Sequence, residues 1–464
     1  EAKSEEYKAV GFPSGDFTRP SFATGFPDGS KPEYTETVTR SNSFYLNFGY
    51  AYDNRYLLDA NFRSDGSSVF GLSQQFTTTW AVGLGWNVHN ESFFKGQDWL
   101  NYLKLRFSIG NPGNQNFDAY ISMNVYGYST AYPNPLGLSA IISTWGNNNL
   151  KWQKTLDQNY GIDLAFLKSR LKITVDYFVK TTDPLLVNVQ TPTSTGTSQV
   201  PMNIGKQLTE GITAVLNYTI LQKENMNLNF NMNARHITSE YRNIGTALDQ
   251  YNKENSSSNL TRYYDGGSSS DLWAVRSAGI DPGSGREIFI KKDGTQTFVH
   301  DTDDEVVVGN STPKLEGVIG ASFYYKGFSA SVNLRYRLGG QIFMSTLYNK
   351  VENISENDLQ YNQDKRALYD RWQKPGDATK FKSISLTSST PISSRFVVDE
   401  NTLSGESISL GYETSAAWLR HVGVSSMTVR GYMNDIFRLS TVKEERGLDY
   451  PFARTVAFSL GIRF

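Results

Sequence analysis

The sequence predicts an all-β protein, an antiparallel transmembrane β-barrel of which about thirteen strands can be read. Three observations carry that prediction. Apolar and polar residues alternate with period two from about Ser41 to Phe464, as in strands with one apolar and one polar face. Short and long connections take turns along the chain. The composition joins 13% aromatic residues and 39 Gly to only 38% hydrophobic residues, which suits strands that show half their side chains to an apolar phase.

Taken in order, the first strands are expected at Ser41 to Tyr52, Arg55 to Ser64, Thr77 to Val88 and Tyr102 to Asn111, the first pair joined at Asp53-Asn54. Thr155 to Phe166 and Arg170 to Thr181 follow across Lys168-Ser169. In the second of these, Leu171, Ile173, Val175, Tyr177 and Val179 alternate with Lys172, Thr174, Asp176, Phe178 and Lys180. Leu208 to Leu221 and Met226 to Thr238 form a hairpin around Gln222 to Asn225. There Met226, Leu228, Phe230, Met232 and Ala234 face away from Asn227, Asn229, Asn231, Asn233 and Arg235. Pro313 to Tyr325 and Phe328 to Leu338 meet at Lys326-Gly327, and Phe328, Ala330, Val332, Leu334, Tyr336 and Leu338 oppose Ser329, Ser331, Asn333, Arg335 and Arg337. Gly405 to Glu413, Ser426 to Asn434 and Arg454 to Phe464 complete the set. In the last, Val456, Phe458, Leu460, Ile462 and Phe464 lie on one side, and Ala457, Ser459, Gly461 and Arg463 on the other. Most spans are near the ~9 to 11 residues that cross a bilayer as a tilted strand.

The connections give an independent argument. Tight turns, and two links of about a dozen residues around Glu91 and Arg420, alternate with longer connections at 65–76, 112–154, 182–207, 239–312, 341–404 and 435–453. An up-and-down barrel with turns on one membrane side and loops on the other produces that parity; a soluble sandwich or propeller has no reason to. Thirteen is odd, whereas bacterial single-chain barrels have even strand numbers. An unpaired first strand would be an open edge in lipid. Residues 1–40 are therefore expected as the tail of an extracellular loop, residues 41–464 as the C-terminal part of a barrel, and the partner strands upstream.

Charge and motifs exclude other classes. With 45 Lys plus Arg against 46 Asp plus Glu, the chain lacks the basic footprint of a nucleic-acid binder. The absence of Cys removes disulfide, thiolate-metal, iron-sulfur and Cys-nucleophile chemistry. No apolar run approaches the ~20 residues of a membrane helix. His89, His236, His300 and His421 fall in no metal-ligand spacing, and no Walker loop, GxGxxG or GxSxG occurs. No enzyme activity, metal or cofactor is expected. The acidic run Asp301, Asp303, Asp304, Glu305 has oxygen ligands suited to calcium, but its spacing is not that of an EF-hand, and it reads as a solvated loop tip.

Candidate ligand contacts are of two kinds. Trp145, Tyr263, Tyr264, Trp273 and Trp372 lie in the long connections, where an exposed ring can stack on a sugar or pack on a peptide. The bland account is that loops this long must bury something of their own. On the polar strand face, Arg335 and Arg337 can meet a solute or merely fill a polar interior. The Tyr and Phe at strand ends, such as Tyr50, Tyr52, Tyr324 and Tyr325, read as an interfacial girdle.

Nine stretches, in order from about Ser41 onward, resemble the barrel of the SusC/RagA-type TonB-dependent transporters of Bacteroidetes outer membranes. They are RSDGSSVFG (63–71), GWNVHNESFFK (85–95), LKLRFSIGNPGNQ (103–115), LKWQKTLDQNYGIDLAFLKSRLKITVDYFVKTT (150–182), GIDPGSG (279–285), GNSTPKLEG (309–317), RWQKPGD (371–377), SSRFVVDENTLSGESISLGY (393–412) and DYPFARTVAFSLGIRF (449–464). The chain departs from the family pattern at Gln153 and at Asn434-Asp435-Ile436-Phe437. The resemblance implies a 22-stranded barrel filled by an N-terminal plug, a SusD-like surface lipoprotein as lid, and TonB acting through a segment upstream of this chain. It implies import of an oligomeric glycan or peptide across the outer membrane. Phe464, with Ile462, Leu460 and Phe458, resembles the terminal aromatic signature of outer-membrane insertion signals. A passive porin, or a soluble all-β glycan-binding protein, are the alternatives of other classes. The alternation further predicts that Leu460→Arg costs ~2 to 4 kcal/mol whereas Ser459→Arg is nearly neutral.

Overall fold

The computed structural model describes residues 2–6, 10, 25, 33–68, 75–94, 99–114, 122–134, 137–191, 194, 196–197, 199–385, 388–421, 423–443 and 454–464. Most of the expected loop segment 1–40 lies outside them, although Ala2–Glu6 and Glu33–Thr37 pair as an antiparallel hairpin.

Period-two sequence becomes one continuous antiparallel sheet. Its strands are β1 (Ser41–Tyr52), β2 (Tyr56–Ser67), β3 (Phe76–Asn87), β4 (Leu100–Gly110), β5 (Gln153–Phe166), β6 (Leu171–Asp183) and β7 (Lys206–Lys223). They continue with β8 (Met226–Arg242), β9 (Leu315–Tyr325), β10 (Phe328–Phe343), β11 (Val397–Thr414), β12 (Ser426–Ser440) and β13 (Val456–Arg463). The thirteen stand in chain order, each bonded to its sequence neighbours, with the two-residue strand Gly113–Asn114 added beside β5. Among the described residues β1 and β13 are the two ends of this sheet.

Turn chemistry fixes the hairpins at one end. Asp53 and Asn54 both take positive φ (50° and 51°) between β1 and β2, the mirror-image turn whose twist matches flanking strands. Lys326 and Gly327 (φ 45° and 92°) do the same between β9 and β10. All long connections leave from the opposite end, as the parity argument requires.

Register assigns the faces. In the β5–β6 pair, Tyr160 sits opposite Tyr177 and Ile162 opposite Val175, while Asp163 meets Thr174 and Gly161 meets Asp176. One surface is thus continuously apolar and the other polar across the wall. Tyr50, Tyr52 and Tyr325 lie on the apolar surface, and the Tyr52, Tyr56 and Trp86 rings stack in series, 6.5 and 6.4 Å apart. Tyr324 differs from the expectation: paired with Ser329, it shares the polar face with Ser322, because its neighbour Tyr325 takes the apolar side.

The strand ends depart most at β11 and β12. β11 begins at Val397 rather than Gly405, and β12 runs on to Ser440 rather than Asn434. Bulges at Arg337/Gly340 and Gly405/Ser407 shift the alternation, so the period-two signal loses phase where the strand continues. Asp435, in one of the stretches that depart from the family pattern, holds φ 53° at the second bulge.

Between β8 and β9 the ladder is interrupted without a change of register, pairing Met232↔Ile319 and then resuming at Arg235↔Glu316. Tyr336, 7% exposed, reaches over Gly317 from the next strand and donates its hydroxyl to the Asn233 carbonyl at 2.8 Å. A Cβ on Gly317 would sit 2.6 Å from that hydroxyl. The glycine is the opening through which Tyr336 satisfies a carbonyl that the ladder has abandoned.

The long connections carry structure that alternation alone did not disclose. Val125–Asn134 pairs with Gly137–Thr144, and Leu186–Gln190 with Gln199–Asn203. Asp271–Ile280, Glu287–Ile290, Gln296–Thr297 and Glu305–Asn310 form a separate four-stranded sheet between β8 and β9. The 344–396 connection packs on it, burying Val351, Ile354, Ala367, Phe381 and Phe396 in one cluster. Together these two connections make a cap at the long-loop end. Among the described residues no helix is long and apolar enough to cross a membrane.

Candidate functional site

Two surfaces offer chemistry: the polar face of the wall and the cap above it. On the polar face, charge is arranged in rows across strands. Arg106 of β4 donates to both Asp163 oxygens at 2.8 and 3.1 Å and reaches Asp176 of β6 at 3.0 Å. It can cross β5 because Gly161 stands between; a Cβ there would lie 2.6 Å from the Asp176 carboxylate and 2.7 Å from the guanidinium carbon. Lys180 pairs with Asp157 at 2.9 Å. Tyr45, Asn47, Asp59, Asn61 and Arg63 continue this polar concavity, of about 900 Å³.

The two arginines singled out from the sequence do face this side, and both are engaged. Arg335 donates to Glu406 at 2.8 Å, and Arg337 lies 3.7 Å from Glu316, which Arg235 approaches at 3.0 Å. Exposed pairs of this kind contribute little to stability, so they remain free to exchange protein partners for a passing polar solute.

The loop aromatics separate by environment. Tyr263 packs between Tyr241 and Tyr251, each ring 5.5 Å away, against the cluster of Leu185, Ile244 and Leu248. Burial among these rings raises the pKa of the Tyr263 hydroxyl. Trp372 donates its indole N–H to the Pro282 carbonyl at 2.8 Å and lies over Gly285, whose φ is 69° and where a Cβ would meet the ring at 2.4 Å. Both rings hold the cap together. Tyr264, 38% exposed, and Trp273 have centroids 5.0 Å apart, and the Trp273 indole N–H has no hydrogen-bond partner among the described residues. Trp145 is 37% exposed and lies beyond the 125–144 hairpin. The structure therefore brings Tyr264 and Trp273 together and engages half-buried Tyr263 and Trp372 in contacts within the cap.

Sequence reading missed the buried ionic groups that hold the cap, of which Arg395 with Glu287 joins its two connections. Arg395 bridges Glu287 at 3.0 Å and Glu352 at 2.7 Å, with Ser393 donating to Glu287 at 2.6 Å and Thr390 to Glu352 at 3.0 Å. Arg371 donates to the carbonyls of Ala367, Lys382, Val351 and Glu352. Burial lowers its pKa, and lowers that of Lys382. Arg262 clamps Glu305 through two 2.8 Å bonds. Glu305 thereby leaves the acidic run, whose Asp301 accepts from the Asp303 N–H and whose Asp304 accepts from the Lys292 N–H. No local motif announces these pairs, since the partners are 43 to 108 residues apart. The only usable signal was charge inside strings such as GREIF and SSRFVV, where an exposed loop needed none.

Comparison with known proteins accords with this architecture. Residues 5–370 match the family model described as TonB dependent receptor-like, beta-barrel. The chain is 27% identical over 452 residues to TonB-dependent receptor P39 of Formosa agariphila, covering 87% of this chain and 43% of the relative. It is 26% identical over 485 residues to TonB-dependent receptor SusC of Bacteroides thetaiotaomicron, covering 94% and 45%. Among solved structures, the RagAB peptide importer in its open-open state superimposes with a TM-score of 0.81 at 22% identity, covering 98% of this chain and 50% of that one. The chain thus spans about half the length of the curated relatives it matches. These proteins are named as receptors and transporters, not as enzymes. Family model, strand order and the two-faced wall agree, and the chain belongs to the TonB-dependent receptor β-barrel family of outer-membrane proteins.

Proposed function

We propose that this chain is the C-terminal part of the barrel of an active importer that carries an oligomeric nutrient, a glycan or a peptide, across the outer membrane. The observation that carries the reading is the two-faced wall of thirteen strands: it offers a polar, ion-paired lining on one side and a large structured cap at one end. The open ends at β1 and β13 would be unpaired strand edges in lipid, and the relatives are about twice as long. Both support a larger barrel of about 22 strands, the size the family resemblance implies, completed by earlier strands, with a plug inside.

In this reading a SusD-like surface lipoprotein closes over the cap, and TonB acts on a plug segment that is not part of this chain. Captured oligomer leaves the cap when the plug moves and descends along the polar face, where Arg335, Arg337 and the Arg106 row offer exchangeable charge-assisted hydrogen bonds. Tyr264 with Trp273, and Trp145, are the rings placed to touch ligand. Tyr263 and Trp372 position the loops that carry them.

Uptake of labelled oligosaccharides and peptides is to be compared in cells with the intact system, without the lid lipoprotein, and without TonB. The proposal expects one ligand class to lose uptake in both deletions. Uptake of every candidate unaffected by either deletion would overturn it, and open conductance of the intact complex in bilayers would favour a passive pore.

A further inference from the structure

One place in the cap gathers more positive than negative charge. Around Lys382 stand Glu287, Glu352, Arg371 and Arg395, so two carboxylates face three cations. Both carboxylates are already bound by Arg395, and Arg371 is held by backbone carbonyls alone. Lys382 is half-buried, and among the described residues its ammonium finds only the Ser388 carbonyl, at 3.5 Å. Arg286, exposed and just before the strand Glu287–Ile290, has no carboxylate within ion-pair distance among the described residues; it donates to the Phe298 carbonyl at 3.3 Å and lies against the Phe298 ring, 4.9 Å from its centroid. Half-buried charge without a counter-charge is costly, and at Lys382, whose nearby carboxylates are both taken by Arg395, an added anion would relieve that cost.

That place is a hollow of about 360 Å³ at the seam of the two connections, where Lys382, Arg286, Phe298, Ser383, Ser385 and Ser388 converge. The seam is built rather than incidental: Ser383 N–H donates to the Gly285 carbonyl at 3.2 Å, and Glu287, which also lines the hollow, is neutralised by Arg395. The volume suits a single sugar residue. Phe298, 42% exposed, presents an apolar face for a ring, the serines supply hydroxyl partners, and the two cations await a carboxylate.

We propose that this hollow is a subsite for a uronic-acid residue of an oligomeric glycan. The inference rests on the reading of the chain as part of an oligomer importer and names the ligand class its cap selects. A sugar carrying both hydroxyls and a carboxylate uses the serines and the cations together, whereas an acidic peptide side chain uses only the cations.

The test uses the whole transporter, purified from the outer membrane, with trigalacturonate, a neutral galactose trisaccharide and triglutamate as probes in calorimetric titration. Wild type should bind trigalacturonate tightest, and Lys382→Met should weaken it about tenfold or more, the loss of a charge-assisted bond, without changing the neutral trisaccharide. Arg286→Gln leaves the buried network untouched, so a parallel loss there cannot be ascribed to an unfolded cap. Equal trigalacturonate affinity in wild type and both variants would overturn the subsite. Absence of trigalacturonate binding to wild type would overturn it as well. Tighter binding of triglutamate, lost in Lys382→Met, would overturn the sugar class. Transporter-dependent uptake of an oligomer that ignores Lys382 would sink this inference and leave the import reading standing, whereas uptake of every oligomer unchanged without the transporter would sink the import reading itself.

Discussion

Replacing Leu460 by Arg isolates the claim that one face of the wall meets lipid. Leu460 is four residues from Phe464. At ~3.4 Å per residue and a tilt of ~40°, that places it ~10 Å into an apolar band ~25 Å tall, close to the midplane. It is 62% exposed and sits opposite Val429, so no protein group can take up a guanidinium. The expected cost is ~2 to 4 kcal/mol. The control suggested by alternation alone, Ser459→Arg, is compromised, because Ser459 lies opposite Arg430 and a like-charge pair adds ~0.2 to 1 kcal/mol of its own. Ala457→Arg is the better control: it shares the polar face and lies opposite Tyr432. Urea unfolding of the refolded transporter in lipid vesicles, with heat-modifiable gel mobility as the assembly readout, should give a large loss for Leu460→Arg and less than about 1 kcal/mol for Ala457→Arg. Equal losses, or the reverse order, would refute the facing assignment.

Three further outcomes follow from named contacts. Arg395→Leu leaves Glu287 and Glu352 buried without their cation and should cost ~3 to 5 kcal/mol within the cap; hydrogen exchange should rise across 271–310 and 344–396 while β5 to β8 keep their protection. Tyr336→Phe removes the hydroxyl that satisfies the Asn233 carbonyl and should cost ~1 kcal/mol or somewhat more in unfolding from vesicles, with no change in ligand binding. Glu91, on the short-turn side, accepts hydrogen bonds from Trp86, Tyr56 and Arg55, which hold its pKa below the usual carboxylate range. A depressed folded pKa means its stabilisation is complete above the ordinary Glu value and is lost as pH falls through the folded one. Protease cleavage in the link around Glu91 should therefore increase in the wild type as pH falls below the ordinary Glu range, and Glu91→Gln should show the faster cleavage already at neutral pH.

The wall was legible because lipid imposes a simple rule on every strand. Leu171 to Lys180 and Phe328 to Leu338 each obey period two without interruption, and turns such as Asp53-Asn54 punctuate them. What was illegible had a common cause. At Val397 to Ser404 the strand has left the bilayer, both its faces are polar or packed on the cap, and bulges shift the phase. The cap's own sheet is stabilised by partners such as Arg262 with Glu305, and Glu287 with Arg395, that meet only after folding. The same limit applied to the site. Five loop aromatics looked equivalent as residue types, yet Tyr263 packs on a buried cluster, Trp372 is a cover for Gly285, and exposed Tyr264 rests on half-buried Trp273. Lys382, the most informative residue of the cap, carried no sequence signal at all, because its significance is a local charge balance among residues that the two connections bring together only on folding.

The central claim is that this wall has alternating lipid and lumen faces, and the absence of Cys makes it directly measurable. Single substitutions to Cys at each position from Phe328 to Leu338 in β10, labelled with an environment-sensitive fluorophore in the assembled transporter, can be quenched by brominated lipid. Strong quenching is expected at 328, 330, 332 and 334, and little at 329, 331, 333 and 335. Quenching without alternation, or strongest at the positions of Asn333 and Arg335, would contradict the account.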